Sequence, residues 1–338
     1  GDIPLKLSAT KDINDVRIRR SPKEAVYEQV VKDLKTAENA GLPWADQSGH
    51  VSLGAVKSLL AKVYITMAGY PLQKGKPYYQ LAYDKAMEVI GSHQFSLFEQ
   101  YGDLRNPAVQ NTREHIFMLQ RHPTVAVSNI HWAYLPYPAR PISIQPAYGG
   151  AMVPAKAFYD SYADDDARKQ EQAFFYTKYA RYGNPAETVF FPEPYIFKFW
   201  DEEAEKTGRS GANFPLIRYA DVLLLCAEAK SMIDGGATSD AAAIDAYYLV
   251  HHRAFPAAAK PAALTTDDIL KERYWELCFE FQTWYDMLRT RKAFDVAHGR
   301  MTSLVGYKAP NHLRSFEETD FQFPLPLAEV QKNPDLAL

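Results

Sequence analysis

The segment 213–230, NFPLIRYADVLLLCAEAK, is nearly as apolar as a protein core and still carries three charged residues. We expect a helix that begins at Phe214 and exposes apolar side chains on most of its sides, with Arg218, Asp221 and Glu228 along one narrow line. A helix of this kind packs between neighbouring helices, as in a stack of helical pairs. The charged line therefore predicts that ionic partners reach it from adjacent elements.

Those partners are expected on other helical segments of the chain. Glu276 and Glu280 lie four residues apart, where two like charges on one helix are mildly unfavourable and need cations from elsewhere. Three arginines come from adjacent helical segments: Arg218, Arg253 and Arg289. We expect these arginines to bind the two glutamates between stacked helices with bidentate geometry.

Helix-boundary signals recur in the first hundred residues and again after residue 214. Ser21 and Glu24 have the spacing of a capping box, as do Thr265 and Asp268. Predicted helices start near residues 22, 52 and 77, a spacing similar to that of helical-hairpin repeats of about 34 residues. This pattern predicts TPR-like helix pairs.

The central part of the chain has a different character. The segment 113–121 has the pattern of a short strand, and prolines and aromatic residues then dominate the segments 122–154 and 174–200. Prolines at this density exclude a long helix, and so many aromatic residues are not typical of a disordered linker. We expect a folded surface built from loops.

The predicted fold is therefore all-α, a TPR-like helix-pair scaffold (an α-α superhelix) with a loop-rich aromatic face and a minor β component. We expect one domain over 1–338, with the scaffold at 21–92 and 214–296 and the loop-rich face at 113–212.

Composition excludes several classes of protein. A net charge of −3 gives no basic footprint for nucleic acid. No apolar run approaches the roughly 18 residues of a membrane span. The two cysteines form no zinc pattern, and the run Asp164, Asp165 and Asp166 lacks the spaced oxygens of a calcium loop. We expect neither a metal nor a cofactor.

Several motifs, in order along nearly the whole chain, resemble the SusD/RagB-like nutrient-binding lipoproteins of Bacteroidetes outer membranes. They are GDIPL, RRSPKEAVYEQVVKDLKTAENAGLP, MVPAKAFYDSYADDDAR, FPLIRYADVLLLCAEA, ILKERYWELCFE, TWYDMLR and FPLPLAEVQKNPDL. Phe255 and Phe281 stand where that family usually has glycines.

The resemblance implies a cell-surface protein that binds an oligosaccharide or a peptide and hands it to a TonB-dependent transporter of the SusC type. It also implies a long segment before the GDIPL motif that carries the lipid-bearing cysteine and part of the ligand site. We therefore expect the membrane anchor to lie outside this chain.

Candidate ligand contacts follow from the chemistry of sugars, whose apolar faces stack on aromatic rings while polar groups bind the hydroxyls. We expect Trp132 and Tyr134 on one side of an extended segment. The full candidate set, with a weaker pair at its end, is Trp132, Tyr134, Tyr137, Arg140, Tyr148, Tyr195 and Trp200. The same rings could instead pack the loops onto the scaffold.

Two other functions are alternatives to glycan binding. A glycosidase needs two carboxylates about 5–10 Å apart, but Glu276 and Glu280 lie among apolar residues of a packing helix, and we do not expect an enzyme. A TPR-like scaffold that binds only proteins, or a peptide-binding relative without affinity for sugars, remains the alternative.

Overall fold

A computed structural model describes residues 1–12, 17–144 and 149–337 of the chain. Helices occupy both ends of this part and irregular structure lies between them. The helices are α1 (Lys23–Glu38), α2 (Leu53–Ala68), α3 (Lys76–Gly91), α4 (Ile130–Tyr134), α5 (Lys156–Asp160), α6 (Glu202–Thr207), α7 (Tyr219–Ile233), α8 (Ala241–Ala254), α9 (Thr266–Glu276), α10 (Thr283–Thr290) and α11 (Leu327–Lys332). The prediction of a mostly helical, TPR-like protein is confirmed.

The long helices form a stack with α7 at its centre. Helix α1 packs on α2, α2 on α3, α3 on α7, and α7 on α8 and α9. Small side chains at the contacts let these helices approach closely, among them Ala61, Ala82, Ala86 and Ala220, each with no exposed surface. Nearly every residue of α7 is buried, as its apolar sequence predicts.

The helix of the 213–230 segment begins later than the sequence pattern predicts. Phe214–Arg218 is a strand, and helix α7 starts at Tyr219. The strand Phe214–Arg218 pairs antiparallel with His115–Leu119, which lies inside the strand predicted at 113–121. Pairing with a strand about a hundred residues away overrides a local helical pattern.

Strands in the described part of the chain are arranged as two-stranded ladders. They are β1 (Ile3–Pro4) with β2 (Arg20–Ser21), β3 (His115–Leu119) with β6 (Phe214–Arg218), β4 (Phe175–Arg181) with β5 (Asn184–Ile196), β7 (Ala237–Thr238) with β8 (Leu264–Thr265), and β9 (Lys292–Asp295) with β10 (Arg300–Ser303). The β4–β5 hairpin is the largest of these and lies in the central loop-rich region.

One of the two predicted capping boxes forms. The Thr265 hydroxyl accepts a hydrogen bond from the Asp268 amide, and the Asp268 carboxylate accepts one from the Thr265 amide. Ser21 does not cap α1, because it is engaged in the short ladder β1–β2. The carboxylate of Asp2 instead accepts the hydrogen bond of the Lys23 amide, at 3.0 Å.

Two aromatic clusters support the central region. The first packs Phe158, Tyr162, Phe174 and Phe175 against the end of α9. The second surrounds Trp200 and supports the loops that follow α4. Aromatic rings bury large areas in edge-to-face contacts, so a region with little regular structure still has its own core.

Candidate functional site

Arg218 lies at the junction of β6 and α7, where it binds carboxylates from two other parts of the chain. Its Nε and Nη2 donate to the two oxygens of Glu280, at 2.9 and 2.6 Å. Its Nη1 donates to Glu276 at 3.1 Å and also to Glu114. Arg218 is fully buried. The structure therefore brings Arg218 together with both predicted glutamates.

Arg253, in the last turn of α8, binds the same group of carboxylates. Its Nη2 lies 2.8 Å from Glu276, and its Nη1 lies 2.6 Å from Glu114. Glu276 also contacts Arg168, with 3.4 Å between Oε2 and Nη1. One carboxylate of α9 is thus shared by three arginines from three different elements.

Arg289 does not join this group, so that part of the prediction is wrong. Its guanidinium binds Glu228 of α7, with 2.7 Å from Nη2 to Oε2, and Asp286 on its own helix, with 2.9 Å from Nε to Oδ1. Asp221 is the remaining charged residue of the line predicted from the sequence. It binds Lys62 at 2.6 Å and Arg273 at 2.8 Å. Each charge on the narrow line of α7 has a partner.

Glu280 is also not placed as predicted. Helix α9 ends at Glu276, and Glu280 lies in the turn that joins α9 to α10. Lys198 holds this turn, because its Nζ donates to the carbonyl oxygens of Glu276 and Cys278 at 2.8 and 3.1 Å. Within the turn, Phe279 and Phe281 have φ values of 63° and 59°, in the left-handed region that bulky residues rarely adopt.

Sequence reasoning missed further members of this ionic cluster, among them Glu114, Arg168, Lys198 and Glu272. Glu114 and Lys198 each stand beside an apolar or aromatic run, and a charge in that position was an available signal. Their partners could not be named, because the contacts join residues about 80 to 140 positions apart.

The electrostatics of the cluster favour ionised carboxylates. Burial alone would raise the pKa of Glu276, but Arg253, Arg218 and Arg168 lower it to about 2. Burial alone would likewise raise the pKa of Glu114, but Arg253 and Arg218 outweigh that effect and lower it. A glycosidase general acid needs a raised pKa. Glu276 is therefore unsuited to act as that general acid and joins the helices instead.

The aromatic segment after residue 128 is helical where an extended strand was predicted. Residues 130–134 form α4, so Trp132 and Tyr134 point to different sides of a helix. Trp132 is half-buried, whereas Tyr134 is buried and its hydroxyl donates to the Phe279 carbonyl at 3.1 Å. The expectation that both rings share one face is wrong.

The weaker pair of candidates supports the loops. Trp200 is only 4% exposed and stacks on Phe197, with ring centroids 5.2 Å apart and planes 10° apart. Tyr195 is half-buried in β5, beside Tyr176 and Phe191. In this structure Trp200 therefore packs the interior of the loop region and offers no open ring face.

Tyr137 has the most exposed ring among the described candidates, with 69% of its surface open. Gly149 and Gly150 let the chain pass directly beneath it: a Cβ at Gly149 would lie 2.0 Å from the Pro136 carbonyl oxygen, and one at Gly150 would lie 2.8 Å from the Tyr137 Cβ. Arg140 is exposed in the same loop. The loop thus carries an open ring and, three residues later, an exposed cationic side chain.

Tyr148 lies outside the described residues. Within the described ranges, no group of three or more histidine, cysteine or acidic side chains is placed to hold a metal ion. No helix in the same part of the chain has the length and apolarity that crossing a membrane requires.

A cavity of about 950 Å³ lies between the loop that follows Tyr137 and the C-terminal part of the chain. Of the predicted ligand contacts that the structure describes, Tyr134 alone lines it. Its other walls are mostly apolar and come from three separate regions, among them Val153, Phe158, Phe279, Phe281, Trp284, Phe316 and Phe323. Trp284 of α10 is half-buried and faces this cavity.

A stack of helix pairs with an aromatic, loop-built face defines an all-α helical-repeat protein. The model of the SusD family matches residues 113–337, and the chain belongs to that family. A crystal structure of a SusD superfamily protein from Parabacteroides distasonis superposes with a TM-score of 0.89 at 33% identity, over 99% of this chain and 73% of that one.

Two further relatives illustrate the range of the similarity. SusD-like protein P2 from Formosa agariphila is 26% identical over 99% of this chain and 68% of its own length. Surface glycan-binding protein A from Bacteroides thetaiotaomicron, solved in complex with laminarihexaose, has a TM-score of 0.70 at 20% identity, over 93% of this chain and 70% of that one. The latter likeness is one of fold.

Proposed function

We propose that this protein binds an oligosaccharide at the outer surface of a Gram-negative cell and passes it to a TonB-dependent transporter of the SusC type. The observation that carries the proposal is the open ring of Tyr137 in the same loop as the exposed Arg140. An exposed aromatic plane suits the apolar face of a sugar, and a guanidinium provides donors for hydroxyl groups.

The relatives support the class of ligand. The chain belongs to the SusD family, and a protein of similar fold is described in complex with laminarihexaose. We propose that the region 113–212 forms the ligand face and that the segments 21–92 and 214–296 hold it in place. A lipid anchor would keep the protein at the membrane, and the protein would leave its ligand chemically unchanged.

Isothermal titration against hexasaccharides tests the proposal. The panel contains laminarihexaose, cellohexaose, maltohexaose and xylohexaose. We expect Tyr137→Ala to weaken binding of the preferred glycan roughly three- to tenfold, the loss of one stacked ring. Trp132→Ala tests the half-buried neighbour in the same way. Chromatography of the glycan after incubation should show no cleavage.

Tyr285→Ala is the matched control, because Tyr285 is 66% exposed and lies on α10 rather than in the aromatic loop. The Tyr285→Ala variant should bind the glycan with the same affinity as the unaltered protein. Equal losses in the Tyr137 and Tyr285 variants, or no binding to any member of the panel, would contradict the proposed function.

The apolar cavity favours one second candidate, the capture of a peptide through its apolar side chains. Its aromatic walls have few polar groups to bind hydroxyls but suit an aliphatic or aromatic side chain. Titration with a tryptophan-containing peptide distinguishes the two functions. Binding that Trp284→Ala weakens and Tyr137→Ala leaves unchanged would favour the peptide.

A further inference from the structure

The β4–β5 hairpin ends in a two-residue turn that places an aromatic ring at its tip. Arg181 pairs with Asn184 across the ladder, so Tyr182 and Gly183 form the turn. Gly183 has a φ of 76°, and a Cβ there would meet nothing within 4 Å. Polar residues and glycine are usual at such turns. Tyr182 is 38% exposed and has no place in the aromatic clusters that form the cores.

The tip is fastened to the loop that carries the proposed ligand contacts. The Tyr182 amide donates a hydrogen bond to the Pro141 carbonyl oxygen, at 2.9 Å. Pro141 directly follows Arg140. The hairpin therefore does not extend freely into solvent, and its aromatic tip is joined to the backbone of the loop that carries Arg140.

Two further backbone hydrogen bonds hold the loop that carries Tyr137 and Arg140, and they restrict how far Tyr137 can move relative to Tyr182. The Ile144 amide donates to the Glu205 carbonyl at 3.2 Å, and the Gly150 amide donates to the Leu135 carbonyl at 2.7 Å. Tyr137 precedes Pro141 by four residues, so their Cα atoms are at most about 14 Å apart. A short linear oligosaccharide can span a distance of this order.

We infer that Tyr182 is a second stacking residue of the glycan site and that it makes binding depend on the length of the oligosaccharide. This inference rests on the proposed function. Tyr137 binds one sugar ring, Arg140 lies between the two tyrosines along the chain path, and Tyr182 binds a ring further along the same glycan. A disaccharide engages one ring only, so it gains nothing from Tyr182.

Titration of Tyr182→Ala with the four hexasaccharides and their matching disaccharides tests this role. We expect a roughly three- to tenfold loss of affinity for the preferred hexasaccharide and no change for its disaccharide. Tyr182→Phe keeps the ring and should bind as the unaltered protein does. The tip is solvent-exposed, so both variants should unfold at the same urea concentration as the unaltered protein.

Phe190→Ala is the control on the same hairpin, because that ring is 73% exposed on β5, opposite Lys178 and away from the turn. It should leave both affinities unchanged. If Tyr137→Ala weakens hexasaccharide binding while Tyr182→Ala does not, the inference fails and the proposed function stands. Equal losses for hexasaccharide and disaccharide in Tyr182→Ala also overturn the length dependence. Absence of any glycan binding by the unaltered protein overturns both.

Discussion

Arg218 binds Glu280 through two parallel hydrogen bonds, 2.9 Å from Nε to Oε2 and 2.6 Å from Nη2 to Oε1. Both side chains are buried. The pair joins the end of β6 to the turn between α9 and α10. Its geometry fixes the orientation of that turn, because a planar guanidinium donates two parallel hydrogen bonds to a carboxylate in a defined direction.

Loss of either partner should be costly, and loss of both should cost less than the sum. Arg218→Met leaves Glu280 buried beside Lys198 alone, and Glu280→Leu leaves part of the guanidinium without an acceptor. We expect each single variant to lose about 3–5 kcal/mol of unfolding free energy. Urea unfolding of both single variants and the double variant gives the coupling energy.

The exposed pair Lys156 and Asp160 provides the control for that cycle, because both side chains are at least half open to solvent. Its removal should change the unfolding free energy by less than about 1 kcal/mol. Strictly additive losses for Arg218→Met and Glu280→Leu would show that the two side chains are not coupled.

Acid should unfold the protein through the same cluster. Glu276 has a pKa of about 2 in the folded protein, lowered from an ordinary value of 4.5. Between these two pKa values the unfolded chain binds more protons than the folded protein does. The contribution of Glu276 to the stability of the folded protein is therefore complete above about pH 4.5 and is lost as the pH falls toward 2. Urea midpoints measured from pH 7 to pH 3 should fall steeply below pH 4.5.

Glu276→Gln should be less stable than the unaltered protein at pH 7 and should lose less of its stability on acidification. Some pH dependence will persist, since the pKa values of Glu114 and Glu272 are lowered as well. A variant with the same acid profile as the unaltered protein would assign the acid sensitivity to other carboxylates.

How far the sequence predicts this structure depends on the range of each contact. Helix α7 follows from a local pattern, since its apolar residues leave no polar side for solvent. The five residues before it have the same apolar character but form β6, because β3 pairs with them from about a hundred residues away. Local patterns carry no information about such partners.

The candidate site shows the same limit. Tyr137 could be named from its proline-rich context, but its exposure depends on the glycine pair at 149 and 150. Trp200 has an equally aromatic context and is buried against Phe197. The apolar cavity could not be predicted, since its walls meet only after the loop near 153, the turn near 280 and the segment after 304 have folded together.

At Phe281 we expect a glycine variant to be more stable than an alanine variant, which is the reverse of the order inside a helix. The φ of 59° at Phe281 costs a residue with a Cβ roughly 1–2 kcal/mol. Phe281→Ala removes the half-exposed ring and keeps this strain, whereas Phe281→Gly removes both. We expect the glycine variant to be more stable than the alanine variant by about 1 kcal/mol in urea unfolding.

Tyr285 is the matched position for that comparison, because it lies four residues later inside α10. There the glycine variant should be less stable than the alanine variant, by about 1 kcal/mol. Should alanine be preferred at both positions, the left-handed conformation of Phe281 would not be a source of strain.

Replacement of Trp200 should lower the stability of the protein, whereas replacement of Tyr137 should lower its affinity for ligand. The Trp200 ring stacks on Phe197 and lies 4.3 Å from the Tyr179 ring centroid, with 4% of its surface exposed. We expect Trp200→Ala to lose about 3–5 kcal/mol of unfolding free energy. Tyr137→Ala should leave the urea midpoint unchanged and weaken glycan binding, because its ring is open to solvent. The two variants should therefore have opposite profiles when midpoints and affinities are measured on the same preparations. A Trp200→Ala protein of normal stability that no longer binds glycan would place Trp200 in contact with the ligand.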